Sequence, residues 1–390
     1  MPYNFDEIID RSGSACVKYD LRRMLFGTED VLPMWVADMD FRTPDFIMEA
    51  IRKRAEHEVL GYTIRTDGYL HALMDWVERR HDWALKKDWI LFAPGVVPAL
   101  SMLVSAFTRP GEKVIVQSPV YFPFFSVVEE NGRHVVSNPL KRVGDRYTMD
   151  LDHLKSVIDK RTRMILICNP HNPVGRAWDA EELHALAQVC LENDILMVSD
   201  EIHCDLVLPG FRHTPLATLS AEIAANTITC MAPSKTFNLA GLATSHVIIS
   251  DDKLRKTFNN TLEAVHVWMG NIFGAVASEA AYLQGSDWLT EMLDYVQGNV
   301  DYLDDFLQKN IPQIRMIRPE ATYMAWLDCI ALGLDDPGLK DFFIRKARLG
   351  LNDGPTFGQG GSGYHRINLA CPRSIVEEAA DRLKKACFDI

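Results

Sequence analysis

An α/β protein with a mostly parallel sheet, followed by an α+β tail, is the fold class this sequence predicts. Three observations lead there. Between residues 113 and 250, short continuous apolar runs alternate with helical patterns. Uninterrupted apolar strands of that kind belong to a sheet covered on both faces. After Trp268 the alternation gives way to two long helical patterns, then short strands and a glycine cluster. Finally, the predicted strands end in residues able to do chemistry, and ligands of open α/β sheets sit beyond the carboxyl ends of the strands.

The elements follow in order. The first thirty residues are mixed and polar. The run Leu32-Pro33-Met34-Trp35-Val36-Ala37-Asp38-Met39-Asp40-Phe41 is apolar but carries two aspartates, and reads either as a half-buried edge segment or as a lid over a site. Helical periodicity runs from Thr43-Pro44-Asp45 through Ile51, and again from Leu70 to Trp83. Pro94-Gly95-Val96-Val97-Pro98 breaks the chain before a helix over Ala99 to Phe107, a start whose backbone N–H groups can hold an anion. Strands are predicted at 113–116, 163–168, 195–199, 227–230 and 246–250, with a helix at 181–191. Helices are predicted over 273–283, 288–307 and near 341–348, strands at 316–317, 323–327 and 366–369, and a closing helix over 374–386. The glycines at 354, 358, 360, 361 and 363 mark a turn-rich loop. The division expected is an N-terminal segment over 1–45 that joins the small domain, a large domain over 46–285, and a C-terminal α+β domain over 286–390.

Lys235 follows the run Thr227-Ile228-Thr229-Cys230, within Met231-Ala232-Pro233-Ser234-Lys235-Thr236-Phe237-Asn238. A lone lysine after a strand is usually solvated. A Walker A lysine is excluded because no glycine-rich loop precedes it. A buried amine with a lowered pKa can form a Schiff base. The neighbouring strand ends decide: they carry Tyr121, Asn172 and Asp200. An aromatic can stack on a flat ring, an amide can donate to a phenolate oxygen, and an aspartate can hold a pyridinium N–H. Those are the needs of a pyridoxal phosphate site.

With these residues in view, Asn172-Pro173-Val174-Gly175, Asp200-Glu201 and Ser234-Lys235 with Asn238 and Gly241 resemble the fold-type I pyridoxal phosphate enzymes of the aminotransferase superfamily. Pro33-Met34-Trp35-Val36-Ala37-Asp38-Met39-Asp40-Phe41 and Ala232-Pro233-Ser234-Lys235-Thr236-Phe237-Asn238 are similar to its MalY/PatB branch of cystathionine β-lyases and cysteine-S-conjugate β-lyases. The likeness covers nearly the whole chain. It implies a mostly parallel seven-stranded sheet in the large domain.

It also implies roles. Lys235 would be the Schiff-base lysine and the proton carrier at Cα. Asp200 would hold the pyridinium nitrogen, Asn172 would donate to the phenolate oxygen, and Tyr121 would stack on the ring. Ser234 and the backbone at Val96 and Val97 would hold the phosphate, with Tyr62 reaching it from the other subunit of a homodimer. Arg366 would clamp the substrate's α-carboxylate, and Trp35 and Asp38 would shape the substrate side. His203 stands where many relatives have Tyr, and reads equally as a donor to the phenolate oxygen or as a core histidine. Ala232 and Ala243 replace a Ser and an Arg common in the superfamily, removing two usual phosphate contacts.

Composition sets the outer limits. With 390 residues, 47% hydrophobic and 24% charged, the chain is ordinary globular protein, long enough for two domains. Its net charge of −12 argues against a nucleic-acid surface. The 8 cysteines form no C-x-x-C pair, which suits a reduced cytoplasmic protein. The run Asp200-Glu201-Ile202-His203-Cys204-Asp205 holds metal-ligand residue types without metal-site spacing, so no metal is expected. No signal peptide pattern opens the sequence and no apolar run is long enough to span a bilayer. The expected activity is β-elimination from cystathionine or a related cysteine S-conjugate, giving a thiol, pyruvate and ammonia. An aminotransferase built from the same residues, or a lyase fold with an added regulatory binding role, are the alternatives.

Overall fold

A computed structural model describes residues 3–267 and 269–388, so the boundary at Trp268 lies outside the described residues. Seven strands form the central sheet: β1 Ile90–Ala93, β2 Lys113–Val116, β3 His134–Ser137, β4 Thr162–Cys168, β5 Leu196–Asp200, β6 Thr227–Met231 and β7 Ser245–Ile249. Their order across the sheet is β1-β7-β6-β5-β4-β2-β3. β7 is antiparallel to both neighbours, and the remaining pairings are parallel.

The continuous apolar runs are explained by the two faces. Met164 and Leu166 of β4 and Val198 of β5 share a core with Leu100, Leu103 and Val104 of the helix Val96–Phe107. Their neighbours Ile165, Ile167 and Met197 share another with Leu183, Leu186 and Cys190 of the helix Ala180–Glu192. Successive side chains of a strand alternate between faces, so a strand buried on both sides must be apolar throughout. β3 has no such run because it is an edge of the sheet and is only partly buried, whereas the other edge, β1, is apolar throughout with its second half buried.

The tail carries a four-stranded antiparallel sheet of β8 Arg315–Ile317, β9 Met324–Asp328, β10 Asn352–Asp353 and β11 Tyr364–Asn368, in the order β8-β9-β11-β10. Helices Ile272–Gln284 and Ser286–Asn310 lead into it, and Arg373–Phe388 closes the described chain. The helix expected near 341–348 begins earlier, at Asp336, because the Asp335 side chain caps it on the Gly338 N–H. It widens into a π-helical turn over Phe342–Lys346.

The helix expected to begin at Ala99 also starts earlier, at Val96. That places Val96 and Val97 in its first turn, where backbone N–H groups lack intrahelical partners.

Candidate active site

The ends of β4, β5 and β6 converge on a cavity of ≈ 190 Å³ lined by Val96, Val97, Tyr121, Asn172, Asp200, His203, Ser234 and Lys235. Eight of the residues singled out in the sequence therefore share one space.

Lys235 stands in the four-residue helix Pro233–Thr236 that follows β6, with Pro233 at the first position, where its missing N–H costs nothing. Its Nζ donates to the Ala37 carbonyl at 2.6 Å. Desolvation, with the Arg366 guanidinium adding to it, lowers the amine to about 8 against the opposing pull of Asp38 and Asp200. The amine is therefore partly neutral, and nucleophilic, near physiological pH.

Asp200 is the last residue of β5 and is buried. One of its oxygens accepts the Ile202 N–H at 3.1 Å. Burial raises its carboxyl to about 7, while the Ile202 N–H and Lys235 pull it the other way. A group in that state gains from a cationic N–H partner. Three residues on, His203 is kept neutral: burial, Lys235 and Arg366 lower it to about 3. Its buried Nδ1 has no partner among the described residues.

Arg366 on β11 stands behind the cavity wall, outside its lining, and meets it from the tail sheet through Asn172. Its Nη1 donates to Asn172 Oδ1 at 2.9 Å, and its Nη2 donates to the Trp35 carbonyl at 2.9 Å and Asn352 Oδ1 at 2.7 Å. The guanidinium lies over the Phe357 ring at 5.0 Å. Its buried Nε has no partner among the described residues. Because Arg366 occupies the Asn172 carbonyl oxygen, the amide nitrogen is the group left to donate. Tyr121 is held in register by its own N–H to the Asn172 carbonyl at 3.0 Å.

The run Met34–Asp40 is neither an edge strand nor a loose lid. Beyond the two-residue pairing of Leu32–Pro33 with Leu349–Gly350, six consecutive carbonyls each accept a hydrogen bond. Met34 O takes the Asn368 N–H, Trp35 O takes Arg366, and Val36 O and Asp38 O both take Asn368 Nδ2. Ala37 O takes Lys235 and the Tyr323 O–H, and Met39 O takes Asn238 Nδ2 and Arg11. The segment is a strap sewn to the tail sheet and to the turn that follows β6.

Two of the expected substrate residues are used differently there. The Trp35 indole donates to the Lys18 carbonyl at 3.1 Å and packs edge-on against Phe26, so Trp35 meets Arg366 through its backbone. The Asp38 carboxylate is paired with Arg11 at 2.6 Å, and Asp40 with Lys18 at 2.5 Å, in place of lining the cavity. Their charges hold the strap, and Asp38 acts on Lys235 electrostatically. Tyr62 stands 95% exposed in the single chain, away from the cavity wall. Ala37, Thr244 and Cys168 also line the cavity and were not singled out in the sequence. Ala37 works through its carbonyl, for which the side chain carries no signal.

This fold and site define a class. Residues 29–383 match the family model Aminotransferase class I and II, and the chain belongs to that pyridoxal-phosphate-dependent family. Within it, the chain is 43% identical to the cystathionine beta-lyase PatB of Bacillus subtilis (strain 168), covering 98% of this chain and 99% of that protein. It is 31% identical to protein MalY of Escherichia coli (strain K12), covering 98% of each. The crystal structure of cystalysin from Treponema denticola, which contains a pyridoxal 5'-phosphate cofactor, superposes with a TM-score of 0.97 at 37% identity over 100% of both chains.

The side chains here fit that cofactor. Asp200 and His203 are buried polar groups whose remaining capacity suits a ring nitrogen and an oxygen substituent, and the orphaned His203 Nδ1 is the clearest sign that a polar group belongs beside it. The first turn of the helix Val96–Phe107 borders the same cavity, and its N–H groups, which lack intrahelical partners, suit an anion there.

Proposed function

We propose that this protein is a pyridoxal-phosphate-dependent C–S β-lyase that cleaves cystathionine or a related cysteine S-conjugate to a thiol, pyruvate and ammonia. The observation that carries this reading is the shared cavity of Lys235, whose amine is held near 8, and Asp200, whose carboxyl is unpaired by any side-chain cation at hydrogen-bond distance among the described residues. Relatives named cystathionine beta-lyase cover essentially the whole chain.

When bound, the cofactor supplies an electron sink for the charge left at the substrate Cα. Asp200 holds the proton on the ring nitrogen and so keeps that sink effective. Asn172 and the neutral His203 would donate to the ring's oxygen, Tyr121 would cover the ring face, and Ser234 with the Val96 and Val97 N–H groups would hold the phosphate. Arg366 orients the α-carboxylate with the donors that Asn172, Asn352 and Trp35 leave free. Lys235 takes the Cα proton. The Cβ–S bond then breaks, the sulfur leaves as thiol, and hydrolysis of the remaining three-carbon fragment yields pyruvate and ammonia.

A homodimer belongs to the same reading. Val59, Leu60, Tyr62 and Ile64 are 67%, 62%, 95% and 78% exposed in one chain, an apolar row that a second copy would cover. Tyr62 would then reach the phosphate of the partner's site. The eight cysteines are all unpaired, which suits the reducing cytoplasm. No helix among the described residues is long and apolar enough to cross a membrane.

The test is to incubate purified, cofactor-loaded protein with cystathionine and no keto acid, and to measure pyruvate and thiol. Repeated turnover is expected. Strict dependence on an added keto acid would sink the lyase reading in favour of an aminotransferase.

A further inference from the structure

The turn Asp200–Asp205 is built on two sides, and the reaction uses one of them. Asp200 and His203 line the cavity. Glu201 and Asp205 are buried on the other side, each inside a hydrogen-bond network of its own. Glu201 accepts the Ser199 O–H at 2.8 Å, His213 Nε2 at 2.9 Å and the Leu216 N–H at 3.1 Å. Asp205 Oδ1 accepts the Trp76 indole N–H at 3.1 Å and His81 Nε2 at 3.0 Å, both from the helix Asp67–His81. Arg80 Nε stands 3.5 Å from the same oxygen. Asp205 Oδ2 accepts the Thr236 O–H at 2.8 Å.

A metal ion is one reading of this cluster, since ligand atoms of His81, Cys204 and Asp205 lie within 4.8 Å of one another. The geometry speaks against it. Both Asp205 oxygens already receive donors, and the Arg80 guanidinium stands where it would repel a cation. The cluster is a hydrogen-bonded brace.

Where the brace ends gives it a role. Thr236 is fully buried and is the residue immediately after Lys235. One hydrogen bond thus joins the turn that carries Asp200 to the turn that carries Lys235, on the side away from the cavity. We propose that Asp205 is a positioning residue for Lys235: through Thr236 it sets the spacing between the Lys235 amine and the Asp200 carboxylate, which act at two places on one bound ring. This rests on the roles given to Lys235 and Asp200 above. Three donors keep the Asp205 charge in place, and a charged acceptor gives a strong, directional bond to the hydroxyl. Positions of reacting groups held by such bonds matter because small displacements cost rate steeply.

Thr236→Val removes the hydroxyl and keeps the shape, and Thr236→Ser keeps the hydroxyl. In the cofactor-loaded protein, Thr236→Val is expected to lower kcat for cystathionine about 10- to 100-fold, with KM changed much less. The visible circular dichroism band of the bound cofactor should change in sign, position or intensity, and Thr236→Ser should restore both. Asp205→Asn should reproduce the altered band. A Thr236→Val protein with the wild-type band and wild-type kcat, whatever its thermal midpoint, overturns the proposal and leaves the brace purely structural. The dichroism needs cofactor binding and no lyase reaction. If wild-type protein makes no pyruvate, the proposed function fails while the band still tests the brace.

Discussion

Lys235 and Ala37 are 198 residues apart in the chain, and the Lys235 Nζ stands 2.6 Å from the Ala37 carbonyl oxygen. The same oxygen takes the Tyr323 hydroxyl at 3.0 Å. The lysine is thereby a structural tie between the β6 turn and the strap as well as the amine that would attach the cofactor and carry the Cα proton in the proposed reaction. The two duties compete, because attachment of the cofactor diverts the nitrogen.

Tyr323 is the donor that remains when this happens. Tyr323→Phe should therefore destabilise the cofactor-loaded protein more than the cofactor-free protein, by about 1–3 kcal/mol, the cost of leaving a buried carbonyl unpaired. Thermal midpoints with and without cofactor measure it. The stabilisation that cofactor confers on wild type should shrink in the variant, and an unchanged gap would show that Tyr323 has no such duty.

The charges around Lys235 predict a pH dependence. Burial and Arg366 hold the amine down to about 8, while Asp38 and Asp200 oppose the shift. The neutral amine is the attacking form. Capture of pyridoxal phosphate by cofactor-free protein should speed up about tenfold per pH unit below the amine's pKa and level off above it. Arg366→Met removes a charge that lowers the pKa, so the midpoint should move up. Asp200→Asn removes one that raises it, so the midpoint should move down. Stopped-flow absorbance gives the rates, and a midpoint common to all three proteins would contradict the assignment of these charges.

Asp200 has the opposite signature in stability. Burial raises its carboxyl to about 7, above an unfolded value of about 3.9. The folded, cofactor-free protein binds that proton more tightly than the unfolded chain. The stability it contributes is present in full below the unfolded value and is lost as pH rises through the folded one. Each tenfold difference in proton affinity between the folded and unfolded chain is worth about 1.4 kcal/mol. Relative to Asp200→Asn, cofactor-free wild type should therefore lose a few kcal/mol between about pH 4 and pH 7. Urea melts of the two proteins across that range measure the difference. A constant difference would mean that Asp200 is ionised throughout.

What could be read in the sequence were features with local signals. Tyr121, Asn172, Asp200 and Lys235 each follow a β-branched or aliphatic run, so their place at strand ends was visible residue by residue. Val96 and Val97 were marked by the prolines around them. The rest depends on contacts with no local trace. Ala37 acts through a carbonyl that any residue would supply. Asp38 is taken up by Arg11, 27 residues upstream, and Thr236 by Asp205, 31 residues away. Edge strand β3, His134–Ser137, lacks the continuous apolar run because it has a neighbour on one side alone.

Tyr62 offers the decisive test of assembly. Each proposed site takes Lys235 from one chain and Tyr62 from the other. Lys235→Ala should abolish activity, and Tyr62→Ala should impair it by weakening the hold on the phosphate. In a hybrid of the two variants, one site combines both lesions. The other pairs the intact Lys235 of the Tyr62→Ala chain with the intact Tyr62 of the Lys235→Ala chain, and so is wild type. Mixing the variants under conditions that exchange subunits should therefore raise pyruvate formation above that of either variant alone. Were Tyr62 to serve the site of its own chain, every hybrid site would lack one of the two residues and mixing would restore nothing.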